Sequence, residues 1–412
     1  MPDSPITNFK DSTLPVGVDL GKKLVTKDYL LEVYGSILEN SPASGLVVTP
    51  ELWTWGNNNA GQLGINRGEY KNTPVTTFAG GTTWKQVSGG GYFSSAIKTD
   101  GTLWTWGSDS EGELGTNDTT NRSIPVTTSA GGNDWKQVSS GFRHTAAIKN
   151  DGSLWTWGRG AEGQLGNNNN TQRNTPVTTF AGQNTWKQVS CGDFFTTAIK
   201  TDGSLWVWGR NNDGQLGIFS NTNRSTPVTT FAGGTDWKQV AGGQENTVAI
   251  KTNGTLWIWG TNNGGRMGIN DANDFNGKNT PVTTFAGGTT WKQVDCGQFT
   301  TAIKTDGTLW TWGRNDYGQL GINVSTGVRR TPVTTFVGGT NWKQSSCMFF
   351  HMAAIKTDGS LWTCGRNGDG QLGTNDNTQR NTPTTTFAGG NNWKRVDCGG
   401  WYTEAIQTID YI

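Results

Sequence analysis

The residues from Ala96 to Gly107 read AIKTDGTLWTWG, and this stretch decides the fold. A short apolar run meets Asp100-Gly101, and a second run of alternating side chains follows at once. That is the signature of two antiparallel strands joined by a two-residue hairpin turn, with Asp-Gly supplying positive φ. The Leu-Trp-x-Trp-Gly half recurs at Leu52, Leu103, Leu154, Leu205, Leu256, Leu309 and Leu361, with Cys364 replacing the second Trp of the last copy. Trp-Lys-(Gln/Arg) recurs at Trp84, Trp135, Trp186, Trp237, Trp291, Trp342 and Trp393, mostly 51 residues apart. Self-similarity at this period is the mark of a repeat architecture.

Each repeat predicts four short strands: Leu-Trp-x-Trp, then Thr-Pro-Val-Thr-Thr-Phe (Thr73 to Phe78), then Trp-Lys-Gln-Val-Ser (Trp84 to Ser88), then Ala-Ile-Lys (Ala96 to Lys98). Pro74 and its equivalents favour either the first residue of a strand or a strand at an edge, since proline cannot donate to a ladder. Seven such units predict an all-β, seven-bladed β-propeller, with an open solenoid as the alternative. The chain ends decide between them. Asp-Gly or Asn-Gly turns join units at Asp100, Asp151, Asp202, Asn253, Asp306 and Asp358, six turns for seven units. Leu52 to Trp55 and Glu404 to Gln407 are left without local partners. Their pairing closes a ring non-covalently and leaves no open sheet edge.

Composition follows from the repeat. The 412 residues include 60 Gly and 21 Trp, and every Trp except Trp401 holds a repeat position. A fully buried indole contributes at most about 4–6 kcal/mol, so these side chains can join blades without a large aliphatic core. Charge balances at 33 basic against 32 acidic residues, which excludes the basic excess of an electrostatic nucleic-acid binder. No run reaches the roughly 18 apolar residues of a membrane span. Met1 is followed by no basic and apolar leader, so synthesis in a cytoplasm is expected.

Catalytic and metal constellations are not expected. The turn carboxylates repeat for geometry, and no Gly-rich stretch opens a helix as a phosphate loop does. No cofactor is implied. Cys191, Cys296, Cys347 and Cys398 share a register with Gly89, Ser140 and Gly242, a small-residue site that predicts free buried thiols. With no Cys-x-x-Cys and only His144 and His351 as imidazoles, no zinc site is expected.

Function should lie where the repeat breaks. One variable loop set, longest at Ile269 to Thr280, reads as solvated. The other follows the third strand: Tyr92-Phe93, Arg143-His144, Phe194-Phe195, Glu245-Asn246, Phe299, Phe350-His351 and Trp401-Tyr402. One register in seven blades predicts a ring on one face, read either as local loop packing or as a binding surface.

Trp-Gly followed by Gly-Gln-Leu-Gly, together with Ala-Ile-Lys-x-Asp-Gly and the period near 51, resembles the regulator-of-chromosome-condensation repeat family over residues 52 to 412. Gly-x-x-Gly is present in every unit, from Gly61/Gly64 to Gly370/Gly373. The resemblance implies a seven-bladed propeller with velcro closure. It is less specific for function, since the family is similar in fold across exchange factors, β-lactamase inhibitors and many microbial and viral proteins. The chain departs from the eukaryotic exchange factors in lacking a basic N-terminal tail and in having near-identical repeats.

Residues 1 to 50 match no repeat and are read as an N-terminal arm ahead of a propeller at 51–412. Thr26 is a candidate N-cap for a helix over Lys27 to Glu39, with Leu30, Val33, Tyr34, Ile37 and Leu38 on one face. That face would dock on the propeller itself or on another protein. Gly21 to Tyr34 is similar to the segment preceding such repeats in virion proteins of marine tailed bacteriophages. This resemblance implies a tail-associated virion protein, anchored to other virion proteins by residues 1–50. It would display a propeller for attachment to a host receptor, with no nucleic-acid partner and no membrane insertion. The alternative is a soluble protein–protein interaction module, exchange-factor-like or inhibitor-like.

Overall fold

The computed structural model describes residues 47–411 except 80–82, 183 and 274–276. The arm helix expected over Lys27 to Glu39, with Leu30 to Leu38, lies outside the described residues. Seven four-stranded antiparallel sheets form the blades. Blade one runs outward through Trp84–Gly89, Phe93–Lys98, Leu103–Gly107 and Arg122–Thr127. Blades two to six repeat this order from Trp135, Trp186, Trp237, Trp291 and Trp342. The seven Trp-Lys strands line a central channel. The proline strand is outermost in every blade, at the edge the missing N–H requires.

Blade seven closes the ring as the end offset requires. Its inner strands, Trp393–Cys398 and Tyr402–Tyr411, come from one end of the propeller sequence, and its outer strands, Val47–Gly56 and Lys71–Thr76, from the other. A blade therefore straddles two sequence repeats.

The turn expectation needs correction. Only the glycine takes a left-handed conformation, with φ 84° at Gly101. Gly101 N–H bonds the Lys98 carbonyl at 3.0 Å, and Lys98 N–H bonds the Thr102 carbonyl at 3.0 Å. The loop is thus three residues, a turn followed by a glycine bulge. The aspartate serves another purpose. Asp100 Oδ1 accepts from the Thr102 N–H at 2.9 Å and hydroxyl at 2.7 Å, and that hydroxyl accepts from the Trp104 indole at 2.9 Å. The same relay ends on Trp155, Trp206, Trp257, Trp310 and Trp362. Trp53, in the closing blade that lacks this turn, has an indole N–H without a partner among the described residues.

Alternation along each strand makes the two faces of a blade different. Trp84 meets Trp104 and Trp106 edge-on at 6.3 and 6.2 Å, with the Lys98 ammonium over Trp84 and Trp104. This indole face receives the aliphatic face of the preceding blade. Ile97 and Leu103 of blade one, for example, pack with Trp135, Val138, Ala147 and Trp157 of blade two.

Two polar rings complete the junctions. Gln137 Nε2 donates to the Val189 carbonyl at 2.9 Å, and its Oε1 accepts from Val189 N–H at 3.1 Å, as a strand backbone would. Gln86, Gln188, Gln239, Gln293 and Gln344 each donate to the next blade in the same way. Nearer the loops, side-chain oxygens of Ser88, Ser139, Ser190, Asp295, Ser346 and Asp397 accept N–H groups from the following blade at 2.9–3.1 Å.

The Gly-Gln-Leu-Gly loop is explained by its neighbour. The Trp106 indole donates to the Gln62 carbonyl of the previous loop at 2.8 Å. A Cβ on Gly64 would lie 2.9 Å from that indole nitrogen, so the second glycine is a close-approach site as well as a positive φ. In blade six, Cys364 Sγ contacts the Gln319 carbonyl at 3.6 Å where the other blades use an indole.

Two predictions follow from these junctions. Gly217 and Gly233 both have positive φ, but a Cβ at Gly217 would sit 2.7 Å from Trp259 Nε1, whereas Gly233 faces open space. Gly233→Ala should cost about 1–2 kcal/mol in urea unfolding. Gly217→Ala should cost about 2 kcal/mol more, because the indole must leave its carbonyl; equal losses would refute the close-approach reading. The second concerns Glu404, fully buried between blades seven and one, with neither carboxyl oxygen hydrogen-bonded among the described residues. Burial pushes its pKa well above the usual carboxylate range; the nearby Ser94 hydroxyl offsets part of the rise and Asp397 adds to it. The folded state therefore holds a proton that the unfolded chain releases near pH 4.5, and this group costs stability as pH rises above that value. Glu404→Gln should melt higher than wild type at about pH 8 and converge with it near pH 4. A melting difference independent of pH would show that Glu404 is not protonated in the fold.

Candidate interaction face

The loops between the first and second strands are short, and in six of the seven blades a glycine closes them; Met348 holds that position in blade six. Gly90 N–H bonds the Phe93 carbonyl at 2.8 Å, and Gly141, Gly192, Gly243, Gly297 and Gly399 do the same in their blades. Each loop has room for two tip residues, with one fewer in blade five. Except in blade five, where Gln298 is buried, the residue before the second strand is partly exposed, and the first strand residue is buried in every blade.

The register-predicted ring therefore divides. Tyr92, Arg143, Phe194, Glu245, Phe350 and Trp401 are partly exposed on the loop face. Phe93, His144, Phe195, Asn246, Phe299, His351 and Tyr402 are fully buried, and a partner cannot touch them in the fold. Their inclusion in a surface ring is corrected: paired adjacent residues cannot share one face of a strand.

The buried set packs between blades. His144 Nε2 meets Thr196 Oγ1 at 2.9 Å, and His351 Nε2 meets Thr403 Oγ1 at 2.8 Å. Burial lowers both imidazoles to about 3, so they stay neutral at physiological pH. The Tyr402 phenol donates to the Phe93 carbonyl and receives Gly90 N–H and Ser94 Oγ at 3.1 Å each. Asn246 takes an aromatic position, and neither amide atom of its side chain has a partner among the described residues. All five cysteines are buried, and burial raises the Cys191 thiol to about 12.

The exposed set is joined, one position earlier in the loop, by residues the sequence did not single out: Phe142 and Gln244, partly exposed, and Asp193 and Phe349, buried beneath the face. Tyr92 stacks on Trp401 at 4.7 Å and 21°, and meets Phe142 edge-on at 6.0 Å. Phe142 of blade two reaches Phe349 of blade six at 5.9 Å, across the channel mouth. Phe194 joins Phe142 at 5.6 Å, Trp401 joins Phe349 at 5.0 Å, and Phe350 joins Phe349 at 6.1 Å. The result is a continuous aromatic arc from blade six through seven and one to three.

Blades three to five complete the circle with polar groups. Arg266 stands where five of the other six repeats have Gln and one has Glu113, is 2% exposed, and lies 3.6 Å from Glu245. Asp193 beside them is raised to about 7, first by burial and then by Glu245. A second ring of arginines outside the aromatics was also missed. Arg159 pairs with Glu111 at 2.9 Å and Glu162 at 3.0 Å, Arg314 with Asp316 at 2.9 Å, and Arg366 with Asp369 at 3.3 Å. Arg159 lies over Phe194, and Arg366 over Tyr317 and Phe350, at 5.5–6.0 Å. The sequence signal was present: these residues directly follow Leu-Trp-x-Trp-Gly and vary among blades.

Inside the channel, the Ser346 hydroxyl lies 3.1 Å from Asp295 and 2.8 Å from Asp397. Burial raises Asp295 to about 7 and Asp397 to about 6. Among the described residues, no group of three or more His, Cys, Asp or Glu side chains could hold a metal ion.

The comparisons agree with this architecture. The RCC1-like domain matches residues 44–335, and the regulator of chromosome condensation (RCC1) repeat matches 358–406. The chain is 31% identical to the ultraviolet-B receptor UVR8 of Arabidopsis thaliana over 328 residues, covering 78% of this chain and 74% of that one. It is 28% identical to the E3 ubiquitin-protein ligase HERC2 of Homo sapiens across 91% of this chain, but spans only 8% of HERC2. Among solved structures it is similar to human WBSCR16, with a TM-score of 0.75, 20% identity and coverage of 87% of this chain and 98% of that one. It is also similar to yeast RCC1 (Prp20), with a TM-score of 0.77, 19% identity and coverage of 89% and 90%. These two likenesses are of fold. A seven-bladed ring with velcro closure, matched by the family across most of its length, places this chain in the RCC1-like family of β-propellers.

Proposed function

We propose that the chain is a non-catalytic protein–protein interaction module whose loop face is the docking surface. The observation that carries this reading is the aromatic arc. Tyr92, Phe142, Phe194, Phe350 and Trp401 are part-exposed on short loops held by a rigid scaffold, at the register where the repeat varies. Rigid aromatics with neighbouring arginines are the side chains that anchor protein partners. The RCC1-like relatives favour the same reading. The virion reading, with residues 1–50 as anchor and the propeller displayed to a host receptor, rests on Gly21 to Tyr34, which lie outside the described residues. The relatives favour the interaction module over it.

The test compares proteins captured from the source cells by the full chain and by a Phe194→Ala/Trp401→Ala variant, quantified by mass spectrometry. Losing one anchor side chain at a binding hot spot costs about 2 kcal/mol or more, roughly thirtyfold in affinity. The double variant should therefore lose the specific partner while its melting temperature stays near wild type. An unchanged partner list would refute the loop face as the docking site. A collapse of stability would return both residues to a structural role.

A further inference from the structure

The loop arginines are not equivalent. Arg159, Arg210, Arg266, Arg314 and Arg366 each have a carboxylate within 4 Å. Arg143 forms no ion pair among the described residues. Its Nη1 donates to Ser110 Oγ at 2.7 Å, and its guanidinium lies 5.7 Å from the Phe142 ring centre. The neighbouring acid is Glu113, 1% exposed beneath the face and raised by burial to about 7, so at neutral pH it is an incomplete counter-charge. Arg143 thus presents a planar fork with spare donors, next to an apolar floor made by Phe142 and the Tyr92–Trp401 stack, with Phe349 buried beneath them.

Resting on the interaction-module reading, we propose that this face takes a protein segment that places an aromatic or proline ring beside an aspartate or glutamate. The ring lies on the floor, and the carboxylate meets Arg143. Charge complementarity selects this partner. A guanidinium fork matches a carboxylate in two parallel hydrogen bonds, and a half-desolvated site strengthens them. A single-stranded nucleic acid would also offer rings and negative charge, but it needs a continuous cationic track. Here the flanking arginines are already neutralised, and Glu111, Glu162, Asp213 and Asp369 surround the arc. Among the described arginines of this loop face Arg143 alone is without an ion pair, and one such cation fits one carboxylate.

The experiment selects random peptides from a displayed library on the full chain, then measures the enriched peptides by titration. The expected consensus pairs Asp or Glu with Trp, Tyr, Phe or Pro. Arg143→Gln should weaken such a peptide by roughly tenfold or more. Arg143→Glu should reverse the preference, so that a Lys replacing the peptide's acid restores binding. Trp401→Ala reports separately on the floor. Peptides lost on Trp401→Ala but indifferent to Arg143 would overturn the acidic assignment and leave the module standing. Peptides indifferent to both, or no enrichment at all, would overturn both readings. Tighter binding of a single-stranded oligonucleotide than of any selected peptide would also refute the proposal.

Discussion

The indole of Trp106 slides beneath Gly64 of the preceding loop and bonds its neighbour's carbonyl, and the propeller depends on this fit. Trp157, Trp208, Trp259, Trp312 and Trp55 make the same bond at 2.8–2.9 Å. Each bond ties one blade's third strand to another blade's loop, so no blade is complete by itself. The requirement reaches back into sequence at two positions about 42 residues apart in most repeats, a glycine present in all seven and a tryptophan replaced only by Cys364, which recur for one shared reason. Trp55 extends the chain of junctions through the closing blade, where its partner Gln371 lies at the far end of the sequence. The velcro pairing therefore works together with the same indole junction that five other blades make.

The inner rings act in the same direction. A glutamine side chain that donates to and accepts from the adjacent strand copies a backbone pairing without continuing the sheet. Seven separate sheets can thus surround a channel while their polar groups stay satisfied. Arg395 holds the glutamine position in blade seven, and Ala241 holds the serine position in blade four. The rings are consequently regular where several blades agree and irregular at single junctions, and a stack of independent contacts tolerates such gaps. The outer strands are protected differently. Proline on each removes a donor from the exposed edge and discourages pairing with another chain.

Most of the fold was legible in the sequence because it is periodic. The spacing of Leu-Trp-x-Trp gave the blades, and the six turns for seven units gave the closure. The hairpin type was not legible. Asp-Gly suits both a two-residue and a three-residue turn, and only the backbone separates them: the left-handed φ is confined to Gly101, Gly101 N–H bonds Lys98, and Lys98 N–H bonds Thr102. The site was half legible. Register identified the variable loop, but two adjacent residues were assigned to one surface. Strand alternation buries Phe93 and exposes Tyr92, and the same rule divides His351 from Phe350. Phe142 and Phe349 escaped because glycine occupies their register at Gly91 and Gly400, which hides it as a site position. Arg143 looked like any other loop arginine. Its lack of a carboxylate is a three-dimensional property, set by which acids the neighbouring loops supply.

The departures from the repeat carry opposite costs on the two sides of the loop. On the outward side, exchanging an aromatic for Glu245 or Arg143 costs the fold little, because solvent still reaches the group. On the inward side, each polar exchange must be satisfied within the junction. Tyr402 is, with three hydrogen bonds, and His144 and His351 are partly, with one each. Asn246 and Glu404 are not, since neither side chain has a hydrogen-bonding partner among the described residues. A seven-fold scaffold with identical tips would offer seven equal, weak sites. Outward variation breaks that symmetry into one aromatic arc and one polar sector. Inward variation has no access to a partner, so its polar members burden the junctions without adding to recognition. Selection for binding can therefore act on one residue of each loop pair, while the other answers only to packing.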